Sequence, residues 1–287
     1  MWSDIPRSAG RTAFGANPAV YDAARPGYPA AIYGVLERRC GLGPGARVFE
    51  IGAGTGIATR ELLRRGPREL VVVEPDARLA RYLARRLGPR RGAVTIRVEP
   101  FESVDLPRES FDLGVCATAF HWLEEGPALR KVARLLRPGG WWAAFWNVYG
   151  DPEHPSEFHR AIDPAYRAFV HPSQRTSKRP GSLDRAARER AIERTGGFAR
   201  LSSMVVRWSL TLDASRLTSL YSTYGPIATL PARSRRQFLK EVTRVAEEQF
   251  GSNVTIRVLT PLYTAQRLRG ERGRTAGERP TRRRATT

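Results

Sequence analysis

Cysteine is nearly absent from this 287-residue chain: Cys40 and Cys116 are the two present. Two are too few for a disulfide framework, and both sit in apolar contexts that suit small buried hydrophobes. Long apolar runs are missing as well. No stretch approaches the roughly 18 apolar residues of a membrane span, and Met1 to Gly10 holds no apolar core of a secretory signal. These absences predict a cytoplasmic protein with no membrane segment. Lysine is as scarce. Lys131, Lys178 and Lys240 are all there are, so arginine carries the net charge of +20. Such a charge is one mark of nucleic-acid binding. Yet an Arg-for-Lys skew with abundant Ala, Gly and Pro is what GC-rich coding produces, and Arg81, Arg85 and Arg86 read as a solvated helix face. Nucleic acid is therefore not the expected partner. His154, His159 and His171 are too loosely spaced, without cysteines, to predict a metal site.

What is present is more specific. Val48-Phe49-Glu50-Ile51 is an apolar run interrupted by one carboxylate, and Gly52, Gly54 and Gly56 follow at alternate positions. Eighteen positions beyond Gly56, the apolar run Leu70 to Val73 ends in Glu74. A strand, a tight glycine turn, a helix and a second strand ending in an acid form a unit that binds an adenosine-containing ligand at the open end of a parallel sheet. The spacing is G-x-G-x-G, with Ile57 where a dinucleotide fingerprint has its third glycine. Glu50, two residues before the loop, would repel a pyrophosphate and attract a cationic amino acid. The pattern therefore favours S-adenosylmethionine, with Glu74 accepting both ribose hydroxyls.

Strands and helices alternate along the rest of the chain. Strands are predicted over 47–51, 69–73, 94–98, 111–118 and 141–148. Helices are predicted over 29–39, 55–65, 76–87 with Asp76 as N-cap, and 126–136. This alternation implies a doubly wound α/β sheet. A Pro-rich stretch at 150–182 and a helical insertion at 213–250 interrupt it and read as cap or lid segments. A helix over 183–194 and strands over 201–210 and 254–263 complete the core. Residues 1–13 read as a mobile N-terminus, 14–268 as one domain, and 269–287, without apolar period, as a disordered basic tail.

The order of these pieces resembles that of the class I S-adenosylmethionine-dependent methyltransferases, in their bacterial small-molecule branch. The marks are Phe14-Gly15, Tyr21-Asp22-x-x-Arg25-Pro26-Gly27-Tyr28-Pro29, the glycine loop, Glu74-Pro75-Asp76, Phe111-Asp112, Phe120-His121-Trp122, and Arg134 to Gly140. The resemblance implies a seven-stranded, Rossmann-like, mostly parallel sheet whose last strand is antiparallel and lies beside the sixth. It implies that Tyr21 and Arg25 fold over the cofactor, with Arg25 pairing with its carboxylate. Gly52, Ala53, Gly54, Gly56, Glu74 and Pro75 are the expected cofactor cradle. After strand 3 the family commonly has Asp where this chain has Pro100, so Phe101 and Glu102 are the candidates for the adenine. Ala117 and Thr118, ending strand 4, are expected behind the methionine moiety.

Methyl transfer from a sulfonium is an in-line displacement that needs alignment more than proton transfer. His121, just past strand 4, is the candidate catalytic residue, as general base or as a group that orients substrate; orientation is favoured. Trp122, Asn147 and Tyr149 are candidates for the acceptor pocket, while Trp141 and Trp142 read as core. The chain is thus expected to be an enzyme acting on a small molecule. A nucleic-acid methyltransferase is the alternative, against which Ala117-Thr118-Ala119-Phe120 stands in place of Asn/Asp-Pro-Pro-aromatic. A catalytically silent S-adenosylmethionine-binding regulator is another.

Overall fold

The computed structural model describes residues 15–88, 94–172 and 180–269. The expected N-terminal segment 1–13, Phe14, and the expected tail beyond Arg269 lie outside them. The strands are β1 (Arg47–Ile51), β2 (Glu69–Val73), β3 (Val94–Arg97), β4 (Phe111–Ala117), β5 (Leu136–Phe145), β6 (Val148–Tyr149), β7 (Phe198–Asp213) and β8 (Asn253–Arg267). They form one eight-stranded sheet in the order β3-β2-β1-β4-β5-β8-β6, with β7 also on β8. The first five are mutually parallel. β8 runs antiparallel to β5, β6 and β7. The α/β sheet, the antiparallel last strand and its pairing with the strand before it are as the sequence predicts. The eighth strand is the two-residue β6, split from the predicted fifth strand, which breaks after Phe145. β5 also starts earlier than predicted, at Leu136, because an irregularity between Phe111 and Leu113 lets Leu136 pair with Phe111.

The helices are α1 (Pro18–Ala24), α2 (Ala30–Cys40), α3 (Ile57–Arg64), α4 (Ala77–Leu87), α5 (Glu125–Leu135), α6 (Glu157–Phe169), α7 (Arg185–Glu193), α8 (Ala214–Ser222), α9 (Gly225–Ala228) and α10 (Ala232–Phe250). α1 was not predicted, although Asn17-Pro18 is a start signal: the Asn17 side chain accepts from the Val20 N–H, and Pro18 takes the first turn. Asp76 caps α4 as expected, accepting from the Arg78 N–H.

Parallel strands covered on both faces bury alternate side chains into two different cores. Phe49, Ile51, Val71, Val73, Phe111 and Trp142 point to one face, against Leu129 and Val132 of α5 and Ile192 of α7. Val48, Leu70, Val72, Leu113, Val115 and Phe145 point to the other, against Leu36 of α2, Leu62 of α3 and Leu83 of α4. Cys40 and Cys116 are both buried and unpaired. A third core lies off the doubly wound part. Phe158 and Ile162 of α6, Leu217 and Leu220 of α8, and Phe238, Val242 and Val245 of α10 close over Val254, Ile256 and Val258 of β8. The helices of the predicted cap segments thus share one apolar cluster, supported by the long β7–β8 ladder. Among the described residues no helix is long and apolar enough to cross a membrane.

Gly114 shows how tight the sheet is. A Cβ there would lie 2.3 Å from the Phe49 ring, which is itself wedged against Phe101 and Phe111. Overpacking of such a site costs about 1–3 kcal/mol. Gly114→Ala is expected to lower the unfolding free energy by that amount in a denaturant titration; an unchanged midpoint would mean that Phe49 has room to move.

Candidate active site

The glycine loop leaves β1 at Ile51 and enters α3 at Ile57. Gly52, Gly54 and Gly56 all adopt the left-handed region, at φ 67°, 58° and 85°, which a side chain would strain. Gly52 also has no room for one, since its Cβ would stand 2.4 Å from that of Ala119. Gly56 caps α3 and would meet Leu83 at 2.3 Å. It packs the loop onto α4 and does not line the cleft, a correction to its expected place in the cofactor cradle.

Two buried carboxylates flank the loop. Glu74, 3% exposed, accepts the Gly54 N–H through Oε2 at 2.7 Å and the Asp76 N–H through Oε1 at 2.9 Å. It therefore fixes the loop while its remaining lone pairs stay available. Glu50, 1% exposed, accepts from Thr59 Oγ1 at 2.6 Å. Burial pushes both carboxyls up, to about 7, against the opposing pull of these hydrogen bonds. A buried anion is costly without a cation, and none of these partners is a cation.

A cleft of about 890 Å³, open to solvent, runs between these groups. Glu50, Gly52, Ala53, Gly54, Glu74 and Pro75 line it, and so do Phe101 and Glu102 together with Pro100. Ala117, Thr118, Trp122 and Tyr21 line it at the β4 end. The sequence reading missed Tyr28, Thr55, Ile57, Leu79, Ala119 and Leu123. Tyr28 was within sight, since it stands in the Arg25-Pro26-Gly27-Tyr28-Pro29 motif. Its hydroxyl is 2.8 Å from Thr118 Oγ1, and its ring meets Phe145 edge-on at 4.8 Å. Thr118 has φ 56°, an outlying conformation for a β-branched residue, held by its N–H bond to Phe145 O.

Four other candidates are placed off this cleft. Arg25 was expected on the cofactor carboxylate. It is buried instead against Thr223, donating through Nε to Oγ1 and through Nη2 to the carbonyl, both at 2.8 Å. His121 is not on the cleft wall. Its Nδ1 accepts from Trp146 Nε1 at 3.3 Å, its ring lies 4.5 Å from that of Trp122, and burial pulls its pKa to about 3. A neutral imidazole held this way is a weak base in the wrong place. Asn147 donates from Nδ2 to Gly27 O and accepts from Thr260 Oγ1, bracing the leading segment against β8. Tyr149 stacks on Tyr224 at 5.6 Å. The rule these four follow is simple: each polar group ended in the interior, where it needed a partner, and the partner came from a distant segment.

The histidine spacing hid one cluster. Among the described residues the one gathered set of ligand-type groups is Asp151, Glu153 and His154, with atoms within 4.8 Å of one another. Asp151 Oδ1 accepts the N–H groups of Glu153 and His154, so a tight turn accounts for it.

Known proteins resemble this chain in sequence and fold. A methyltransferase-domain family model matches residues 49–144. An uncharacterized methyltransferase of Schizosaccharomyces pombe is 25% identical over 264 residues, covering 90% of this chain and 98% of its own. A putative type II methyltransferase from Anaeromyxobacter dehalogenans superposes with a TM-score of 0.59 at 20% identity, over 85% of this chain and 97% of that one. A phosphoethanolamine N-methyltransferase of Haemonchus contortus, solved with S-adenosylhomocysteine and phosphomonomethylethanolamine, gives 0.57 at 14% identity, over 91% and 59%.

The raised carboxyls have a readable consequence. A group whose pKa is higher folded than unfolded contributes stability that is complete below the unfolded value and lost as pH rises through the folded one. For Glu50 that window runs from about 4.5 to about 7. His121 and His159, both pulled down by burial, push the opposite way below about 6.5, so the effect must be read by difference. Glu50→Gln, which keeps an acceptor for Thr59, is expected to gain stability relative to wild type as pH rises from 5 to 8 (about the window named above). Parallel pH profiles of the two unfolding free energies would refute it.

Proposed function

The chain belongs to the class I S-adenosylmethionine-dependent methyltransferases, and from that premise we propose that it methylates a small-molecule acceptor by in-line transfer. Bound S-adenosylmethionine supplies a methyl group already activated by its sulfonium. The chain's own residues fit that cofactor: a cradle at Gly52 with no space for a Cβ, a carboxylate at Glu74 for ribose hydroxyls, and a second carboxylate at Glu50 that gains by meeting a cation. Among the candidate cofactor groups, Phe101 and Glu102 stand for the adenine, and Ala117 and Thr118 for the methionine end.

The observation that carries the small-molecule reading is the β4 end of the cleft. There Tyr21, Tyr28, Thr118, Ala119 and Trp122 line it. Aromatic rings with a few hydroxyls suit a small organic acceptor. These residues orient the acceptor and exclude water. Alignment is then the main source of rate, and His121 holds Trp146 in place without taking a proton. We assign residues 14–268 to one catalytic domain, with 150–182 and 213–250 as the cap that sets which acceptor enters. A cytoplasmic setting agrees with two buried, unpaired cysteines.

The nucleic-acid alternative rests on the charge of +20. Four of the arginines are held in ion pairs and so form no free basic face: Arg47 with Glu69, Arg65 with Glu37 and Glu61, Arg137 with Asp112, and Arg188 with Glu125. Turnover separates the enzyme from a silent binding protein. Full-length protein with labelled S-adenosylmethionine is expected to transfer label to a small-molecule fraction of a metabolite extract. Label on tRNA or DNA alone would overturn the reading.

Glu74→Ala removes the ribose acceptor and unpairs two loop N–H groups, so S-adenosylhomocysteine affinity is expected to fall at least about tenfold, measured by calorimetry on a folded variant. Native affinity would remove Glu74 from the cradle. For His121→Ala the expected result is a lowered melting temperature with the pH–rate profile near neutrality retained. A flattened profile would restore the base.

A further inference from the structure

Arg25 is a buried cation that, among the described residues, no carboxylate pairs with. Asp22, one helical turn earlier, is bound to Arg60 and Arg86 instead. The guanidinium is compensated in two other ways. Three aromatic rings surround it, with its centre 5.3 Å from Tyr21, 5.0 Å from Tyr149 and 5.4 Å from Tyr224. Two donors reach Thr223 at the end of α8. The Thr223 hydroxyl donates to Leu220 O at 2.6 Å, which turns its lone pairs toward Arg25 Nε. The match is between a planar fork and a hydroxyl–carbonyl pair, a geometry that an ammonium cannot reproduce.

These contacts join parts that are distant in the chain. Tyr21 belongs to α1 and lines the cleft, Tyr149 is in β6, and Thr223 and Tyr224 form the corner between α8 and α9. Tyr28, beyond Arg25, lines the cleft too, and Asn147 Nδ2 pins the backbone between them at Gly27 O. The leading segment is therefore held at Arg25 by the helical cap and at Gly27 by the sheet, and its two tyrosines, one before and one after these ties, line the cleft.

We infer that Arg25 is a positioning residue: it latches the cap corner at Thr223 to the leading segment and thereby holds Tyr21 against the cofactor cleft. The latch couples cap closure to cofactor affinity without touching the cofactor. It rests on cofactor binding and not on the small-molecule reading, so the two fail separately.

The test uses the full chain with S-adenosylhomocysteine as the probe, well below the melting temperature. Arg25→Lys keeps the charge and loses the fork. Thr223→Val keeps the shape and loses the acceptor, and Thr223→Ser keeps the acceptor. Arg25→Lys and Thr223→Val are each expected to weaken S-adenosylhomocysteine about tenfold, the double variant no more than either, and Thr223→Ser to bind like wild type. The probe is also expected to slow amide exchange over 214–230 in wild type but not in Thr223→Val. If Arg25→Lys does not fold, the Thr223 pair decides alone. A lowered melting temperature with native affinity in Thr223→Val would reduce the latch to a structural brace and overturn the inference. So would a loss confined to Arg25→Lys, since the guanidinium would then leave Thr223 to meet the probe directly.

Discussion

Burial of two carboxylates at the ends of adjacent strands is the constraint on which the rest of this protein depends. Glu50 and Glu74 are buried with hydroxyl and backbone N–H partners and, among the described residues, no ion pair; the Arg60 charge offsets the burial of Glu50 only in part. That environment raises the cost of their ionised forms, and the same environment makes a cationic, hydroxyl-bearing ligand worth more there than in water. The glycine loop follows from it. Only a left-handed backbone at Gly54 turns its N–H onto Glu74, and only a missing Cβ at Gly52 leaves room for Ala119. Cofactor chemistry and loop geometry are in this sense one feature, in which the carboxylate that serves the ligand also shapes the loop that cradles it.

The second half of the chain answers a different need. A doubly wound sheet opens at the carboxyl ends of its strands, and a reaction that must exclude water has to cover that opening. Here the cover is a true core. Three helices from two separate insertions bury Phe158, Leu217, Phe238 and Val242 against the near half of β8. β7 and β8 supply the base by extending their ladder from Phe198 opposite Arg267 to Asp213 opposite Asn253. A cap built this way meets the leading segment where Arg25 reaches Thr223.

Legibility in the sequence follows the range of the interactions involved. The parallel strands, α4 with its Asp76 cap, the glycine loop and both carboxylates were readable because each depends on neighbours close in the chain: apolar runs, a cap two positions from its donor, a turn that only glycine makes. Even Pro100, a departure from the resembled pattern, kept its place on the wall beside Phe101 and Glu102. The misreadings involve contacts over long separations. Nothing near Arg25 announces Thr223, nothing near Asn147 announces Gly27 or Thr260, and nothing near His121 announces the Trp146 indole. Gly56 was misassigned for a related reason, since its steric demand comes from Leu83 on the next helix. Tyr28 was the avoidable miss: its motif had been noted, and a tyrosine beside a segment known to border the cleft has a hydroxyl to place.

One physical distinction sorts the polar residues around this site. Arg25 and Asn147 meet protein groups that were already there, a threonine and two backbone or hydroxyl oxygens, and their burial is satisfied by the fold itself. Glu50 and Glu74 are buried as deeply, yet their partners leave them with raised pKa values near 7 and an exposed face on the cleft. Internal satisfaction marks support, and incomplete compensation beside a cavity marks function. By that criterion the leading segment divides cleanly. Its arginine is held by Thr223, whereas its two tyrosines border the open cleft. The strained Thr118 lies where the two classes touch, bonded through Oγ1 to Tyr28 and through its N–H to Phe145. Its left-handed backbone stands at the end of β4, on the lining of the cleft.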